Sequence, residues 1–426
     1  MLARVDLRGS ADVRAALARP RAASDDVTGA VAAIVAEVRA RGDDALRACT
    51  ERFDGARLAD LAVPPADLDA AAARLDPDLL AALEFAHAQI EAWHQVQAGG
   101  PTEHERAGVR VREVLVPVDR AGCYVPGGRA PLASSVLMTA VPARVAGVPH
   151  VALCTPPRPD GTVHDAILAA ARLARVDVVY RVGGAQAIAA LAYGTETIDP
   201  VDVIVGPGNA YVAEAKRQVA ADVAIDGYAG PSEVAIVADD TAPAVLVAAD
   251  LIAQAEHGPG GACALITWSE SLGAEVEKAL RVRLDGARTA TPETESTLCA
   301  GGRLVLVDGP EQAVAAANVI APEHLELMCA DAEALLPLVR NAGAVFVGND
   351  ASAVLGDYIA GVNHVLPTGG TARFADALRV DDFRKHMHIV SVASDALPGL
   401  VPAVTTLAEA EGLLAHADAM RLRGQA

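Results

Sequence analysis

Aromatic residues are scarce in this chain, 3% of the total, although 52% of its residues are hydrophobic. Its core has to be built from Ala, Val, Leu and Ile, which suits helices packed on buried strands. Lysine is nearly missing: Lys216, Lys278 and Lys385 are the only three, so Schiff-base chemistry has few candidates. An excess of positive charge is missing too. The net charge is −20, and binding a nucleic-acid backbone needs clustered Lys and Arg, so no nucleic-acid partner is expected. Cys-x-x-Cys spacing does not occur. The six cysteines (Cys49, Cys123, Cys154, Cys263, Cys299, Cys329) read as buried or free thiols, not as a disulfide framework or a thiolate zinc site. No apolar run of about 18 residues escapes a charge, so no membrane span is expected. The first residues carry no apolar signal core, and the expectation is a soluble cytoplasmic protein. With 426 residues the chain is too long for one ordinary core, and two or more domains are expected.

What is present is a long alternation of patterns. Residues 27–48 and 76–97 carry apolar positions at helical spacing, and Asp76-Pro77 makes a good helix start. His87, His94 and His104 read as helix-face or loop residues. Residues 109–118 read as a strand, 134–146 as a helix with Pro142 as a break or kink, and 148–155 as a strand. A helix over 164–175, a strand over 176–181, an apolar helix to Ala192, a strand over 201–205 and a helix through Val219 follow. Glycine turns at Gly127-Gly128, Gly183-Gly184 and Gly206-Pro207-Gly208 separate these pieces. Repeated strand, glycine turn and helix units describe an open parallel α/β sheet, with ligands at the carboxyl ends of its strands. The turns are candidate dinucleotide loops, although none matches Gly-x-Gly-x-x-Gly or a P-loop; tight packing turns are the competing reading. A glycine-rich crossing over 227–233 leads to a second α/β unit, roughly 235–350. Beyond about 380 the chain reads as less regular, with a last helical stretch near 407–423.

The chemistry concentrates in four places. Ala321-Pro322-Glu323-His324-Leu325-Glu326-Leu327 sets an acid beside an imidazole at a bend, and both types suit proton transfer near neutral pH. Gln254 and His257 are three apart at the end of an apolar helix and share one face of it. Asp357 adds a carboxylate, and His364 or His416 a second imidazole. Such mixed N and O donors suit a catalytic zinc site, and equally Mn²⁺ or Fe²⁺. Taken singly, each of these residues is also an ordinary polar side chain near a loop.

Longer motifs carry a resemblance. Tyr124-Val125-Pro126-Gly127-Gly128, Gly183-Gly184-Ala185-Gln186-Ala187-Ile188, Gly206-Pro207-Gly208-Asn209 and Gly230-Pro231-Ser232-Glu233 come first. Gln254-Ala255-Glu256-His257-Gly258-Pro259, the Glu323-His324 stretch, Gly356-Asp357-Tyr358 and Asn363-His364-Val365-Leu366-Pro367-Thr368 follow. Ala372-Arg373-Phe374 and Glu411-Gly412-Leu413 complete the series. In this order they resemble the histidinol dehydrogenase family over nearly the whole chain. Two positions depart from the family pattern: Gly260 stands where an acidic residue is expected, and Val362 where a proline is.

The resemblance implies oxidation of L-histidinol to L-histidine through L-histidinal with two NAD⁺ and one Zn²⁺ per subunit. It implies Gln254, His257, Asp357 and His416 as zinc ligands, with Glu323 and His324 as the catalytic bases. Ser232, Gln254, His257, His324, Asp357, His364, Glu411 and His416 would bind substrate, and Tyr124, Gln186 and Asn209 would contact NAD. It also implies a homodimer with shared active sites, Glu411 and His416 acting across it. The expected fold class is α/β, with two Rossmann-like parallel-sheet domains, a helical N-terminal region and a small C-terminal tail domain. The expected division is 1–25 as an N-terminal helical extension, 26–120 plus 235–380 as a first α/β domain, 121–234 as the NAD-associated α/β domain and 381–426 as the tail. Three other readings keep parts of the pattern: a related zinc and NAD dehydrogenase of another small alcohol, a zinc hydrolase using Glu323, and a non-catalytic, metal-stabilised interaction protein.

Overall fold

A computed structural model describes residues 2–10, 12–17, 25–127, 130–227, 230–258, 260–285 and 291–425. Gly128 of the first glycine turn, parts of the crossing at 227–233, Pro259, and residues 18–24 of the expected extension lie outside these. The chain divides into two units, Met1–Gln97 with Asp119–Phe383, and Ala98–Val118 with Arg384–Ala426.

The first unit opens with β1 (Ala3–Asp6) and α1 (Val13–Leu17), then four helices, α2 (Asp25–Arg41), α3 (Asp43–Asp54), α4 (Pro65–Arg74) and α5 (Pro77–Gln97). The hairpin strands β2 (Thr102–Arg106) and β3 (Val109–Pro117) come next and belong to the second unit. Strand and helix then alternate through β4 (Arg120–Tyr124), α6 (Ala133–Ala146), β5 (His150–Thr155), α7 (Asp165–Leu173), β6 (Val178–Arg181), α8 (Gly184–Tyr193), β7 (Val203–Val205), α9 (Ala210–Val219) and β8 (Ala224–Ile225). A second series runs through β9 (Glu233–Ala238), α10 (Ala244–Ala255), β10 (Ala262–Thr267), α11 (Glu270–Leu284), α12 (Pro292–Gly301), β11 (Gly302–Leu306) and α13 (Pro310–Ile320). It ends with β12 (His324–Met328), α14 (Ala332–Leu335), β13 (Ala344–Val347) and α15 (Ala353–Tyr358).

Two parallel sheets result. The first has the order β6-β5-β4-β7-β8, the second β1-β11-β10-β9-β12-β13, and every pair is parallel. Setting β1 aside, each sheet starts in its middle, winds to one flank, then crosses to the other, the Rossmann-like arrangement. β9, Glu-Val-Ala-Ile-Val-Ala, is buried at every position, as a strand covered on both faces must be. Its alternate residues feed two cores. Val234 and Ile236 pack with Leu251 and Val276, while Ala235 and Val237 pack with Val314 and Leu325. Each fully buried Val, Leu or Ile among these contributes roughly 1.5–3 kcal/mol.

The expected α/β fold class is what forms, with differences in detail. The stretch read as a helical extension begins instead with β1, which adds to the edge of the six-stranded sheet by pairing with β11. A four-residue edge strand pairs with residues some 300 positions away and has no local signature. The helix read over 27–48 breaks at Gly42, between α2 and α3, where φ is +53° and a Cβ would run into the Glu196 carboxylate. The helices of 25–97 pack on the helices of the five-stranded sheet, α2 on α8 and α9, α4 on α7 and α5 on α6. They were expected with residues 235–380; helical periodicity shows an apolar face but not which sheet receives it. Pro142 sits inside α6 without ending it.

In the second unit β14 (Arg384–Val392) pairs antiparallel with β3, and β3 with β2, ahead of α16 (Leu397–Ala410) and α17 (Leu414–Gln425). The region read as irregular is therefore a nine-residue strand and two helices that pack on each other. His104, His386 and His388 are strand residues here, and Glu113 receives both His386 and His388, at 3.4 and 3.3 Å. Among the described residues no helix is long and apolar enough to cross a membrane.

Candidate active site

The residues singled out for chemistry gather at the amino edge of the six-stranded sheet. α13 ends on Ala321, which turns left-handed (φ 48°), and Pro322 redirects the chain into β12. Glu323 stands just before that strand and His324 is its first residue, so the pair sits at a strand entry and not within one turn. Side chains of a strand alternate, so His324 and Glu326 face the α10 side while Leu325 and Leu327 enter the opposite core.

Glu323 is buried. Its Oε2 accepts the Ser232 hydroxyl and, at 2.9 Å, the Glu233 N–H. Burial pushes its carboxyl up to about 8, with the charges of Asp357 and Glu233 adding, against the two donated hydrogen bonds. His324 is also buried, and burial pushes its imidazole below the ordinary value. Its Nδ1 lies 3.1 Å from the Glu233 carbonyl, and its Nε2 lies 3.7 Å from Asp357 Oδ1. A carbonyl only accepts, so Nδ1 carries the proton and Nε2 offers a lone pair.

Two further imidazoles repeat this pattern. His257 directs Nδ1 to the Gln254 carbonyl at 3.2 Å, and His364 directs Nδ1 to the Asp357 carbonyl at 2.9 Å. A backbone carbonyl behind one ring nitrogen is what orients a histidine for metal or substrate on the other. Gln254, His257 and Asp357 line one cavity of about 20 Å³, room for little more than a water-sized guest. Gln254 is buried and, among the described residues, its Nε2 has no hydrogen-bond partner, so the amide stands ready for a ligand, through its oxygen after a half-turn. The donor set Gln254, His257 and Asp357 therefore fits a cation of the zinc or manganese class. It is not complete: among the described residues no group of three or more His, Cys, Asp or Glu is arranged to hold a metal ion.

This position departs from the expectation that ligands sit at carboxyl ends. α10 leaves the carboxyl end of β9 and runs back beside the sheet, which returns its last turn, with Gln254 and His257, to the amino edge. The five-stranded sheet does present its carboxyl edge. Tyr124 is the last residue of β4, Gln186 lies in the first turn of α8 after β6, and Asn209 caps α9 after β7. Tyr124 is buried and its hydroxyl accepts the Gly184 N–H at 3.0 Å; the Asn209 side chain accepts from Tyr211 and Val212. Ser135, in the first turn of α6, brings the two edges together, because its Oγ lies 3.1 Å from His364 Nε2. Glu411 and His416 belong to the second unit, where Glu411 caps α16 and His416 is exposed on α17.

Four participants were not anticipated. Ser135 ties His364 to α6. Fully buried His94 holds Ile90 through Nδ1, with Nε2 3.4 Å from Asn363, next to His364. Asp250 and Glu326 line the cavity below Gln254. The signal for Glu326 was its place two residues after His324, which puts it on the same face once the stretch is read as a strand.

Comparison with known proteins follows the same lines. The sequence profile of the histidinol dehydrogenase family matches residues 17–424. The chain is 48% identical over 418 residues to a histidinol dehydrogenase of Rhizobium meliloti (strain 1021), spanning 97% of this chain and 95% of that protein. It is 49% identical over 405 residues to one from Synechococcus sp., spanning 92% and 91%. The crystal structure of histidinol dehydrogenase from Elizabethkingia anophelis matches with a TM-score of 0.95 at 35% identity, over 100% of this chain and 98% of that one.

Proposed function

The chain belongs to the histidinol dehydrogenase family, and we propose that it performs the full four-electron oxidation of L-histidinol to L-histidine, through L-histidinal, with two NAD⁺ and one zinc ion. The observation that carries this reading is the buried Glu323–His324 pair beside the Gln254, His257 and Asp357 cavity.

Each oxidation removes a hydride and a proton. No side chain accepts hydride, so NAD⁺ would supply the hydride acceptor when bound. His324 takes the alcohol proton in the first step: burial keeps it neutral, and its Nδ1 proton is held on the Glu233 carbonyl, so Nε2 is the base. The second step needs water added to the aldehyde, and Glu323 is the base that receives the water's proton. Ser232 and the Glu233 N–H hold Oε2, which leaves Oε1 for that task. Gln254, His257 and Asp357, with His416, would hold the zinc, which supplies Lewis-acid anchoring of the substrate's nitrogens when bound. Ser232, His364 and Glu411 would hold the substrate, and keeping the aldehyde between steps requires several such attachments. Tyr124, Gln186 and Asn209 would line the NAD side, and Ser135 stands between the two. The assembly is a homodimer in which Glu411 and His416 serve the partner's site, and the reaction is that of a soluble cytoplasmic enzyme.

The test is NADH formation from L-histidinol with zinc-loaded protein. Two NADH per histidinol are expected, and His324→Ala is expected to lower the rate by about 10²–10⁴-fold. A single NADH per histidinol, with the aldehyde released, would remove the second step from the proposal. No NADH from a folded, metal-loaded protein would sink it.

A further inference from the structure

Below Gln254 and Asp357 the cavity is floored by two carboxyl groups that neither oxidation uses. Asp250 lies one turn before Gln254 on α10, and Glu326 lies two residues after His324 on β12. Both reach the start of α15. The Ala353 N–H donates to Glu326 Oε1 at 2.7 Å, and the Ser352 hydroxyl donates to Asp250 Oδ1 at 2.8 Å. Ser352 Oγ also accepts the Val354 N–H, as the cap of that helix. Glu326 is wholly buried, yet among the described residues no donor reaches its Oε2. An ionised carboxylate so placed beside a second carboxyl is costly, and one proton held between the two removes the cost. Burial, with Asp250 opposite, pushes Glu326 upward, and burial pushes Asp250 upward, which agrees with a protonated pair.

α15 needs such an anchor. It is six residues long, too short to be stable by itself. Val354, Leu355 and Tyr358 are exposed, so little apolar burial holds it. Yet it carries Asp357, whose carbonyl in turn orients His364.

We propose that Asp250 and Glu326 share one proton and act as positioning residues, clamping the first turn of α15 to α10 and β12 so that Asp357 and His364 are fixed opposite Gln254 and His257. The clamp joins the three elements that bear the site, and it rests on the reading of Gln254, His257 and Asp357 as metal donors.

Two measurements on the full chain test it: amide hydrogen exchange across α15 in metal-free protein, and zinc affinity by competition with a chelator. Glu326→Gln keeps the acceptor for Ala353 and puts an N–H donor where the shared proton stands. Both readouts should stay within about threefold of wild type. Glu326→Leu removes acceptor and donor; exchange across α15 should quicken and zinc affinity fall by about tenfold or more, the range expected for a lost outer-shell partner. Asp250→Ala releases the Asp250 arm and leaves the Ser352 cap of α15 in place; it should move both readouts the same way, which keeps the test alive if the Leu variant does not fold. Unchanged exchange and affinity in Glu326→Leu, or in Asp250→Ala should the former not fold, would overturn the clamp. So would Glu326→Gln behaving as badly as Glu326→Leu, because charge and not a shared proton would then be what holds the helix. If wild-type protein bound no zinc, the metal reading would fail, while the exchange comparison would still decide the clamp.

Discussion

Glu323 and His324 are adjacent residues that the same burial drives in opposite directions, the acid toward its protonated form and the imidazole toward its neutral one. At neutral pH one is a base ready for use and the other gains basic form as the pH rises toward about 8. Oxidation of added histidinal should therefore quicken with rising pH over that range, which a pH–rate profile of the second step alone would show. The same shift bears on stability. The ordinary Glu value is 4.5, so between about 4.5 and 8 the unfolded chain has released a proton that the folded protein keeps at Glu323. Stability from this group is complete below about 4.5 and is lost as pH rises through about 8. In metal-free protein Glu323→Gln should flatten the fall of unfolding free energy over this window by about 1.4 kcal/mol per pH unit. Denaturant titrations across the window would measure it, and identical slopes for the two proteins would refute it.

Among the elements, the loop after β7 shows how a glycine turn is held in place. Gly206 adopts φ +117°, and a Cβ there would run into the Tyr124 carbonyl at the end of β4. Lys216, from α9, is buried, and its Nζ donates to Asp226 Oδ1 at 2.6 Å and to the Gly206 carbonyl; Asp226 Oδ2 takes the Gly206 N–H at 2.6 Å. Lys216→Met would leave a buried carboxylate unpaired, at a cost of about 3–5 kcal/mol. Thermal unfolding should show the loss, and the KM for NAD⁺ should rise more than that for histidinol if the disturbed loop is on the proposed cofactor side. Equal change in both constants would remove the loop's assigned task. The pairing of these residues was not legible in the sequence, although the lysine scarcity there makes a wholly buried Lys216 stand out.

At the scale of the whole molecule the second unit leaves large apolar side chains in the open, Val390, Leu407, Leu414 and Leu422 among them, each more than half exposed. Such surface suits the proposed association with a second copy. If Glu411 and His416 serve the partner's site, two inactive proteins should repair each other. Mixing His324→Ala with His416→Ala, after dissociation and reassembly, should restore activity to about a quarter of the wild-type level, since half the dimers are mixed and each holds one intact site. No recovery from verified mixed dimers would mean that His416 acts within its own chain.

The sequence by itself determined the family, the α/β alternation and the identity of nearly every residue proposed for the chemistry. Long motifs such as Gly230-Pro231-Ser232-Glu233 and Pro322-Glu323-His324 are local, and local order survives in a string of letters. Strand entry at His324, β1 on the sheet edge and β14 beside β3 were decided only by tertiary structure, because each depends on a partner far along the chain. The amino-edge site is of the same kind: it exists because α10 runs back along the sheet and brings Gln254 and His257 to Asp357. So too are the opposed shifts of Glu323 and His324 and the pairing of Asp250 with Glu326. Burial creates these shifts, and burial belongs to the folded arrangement, not to any residue type.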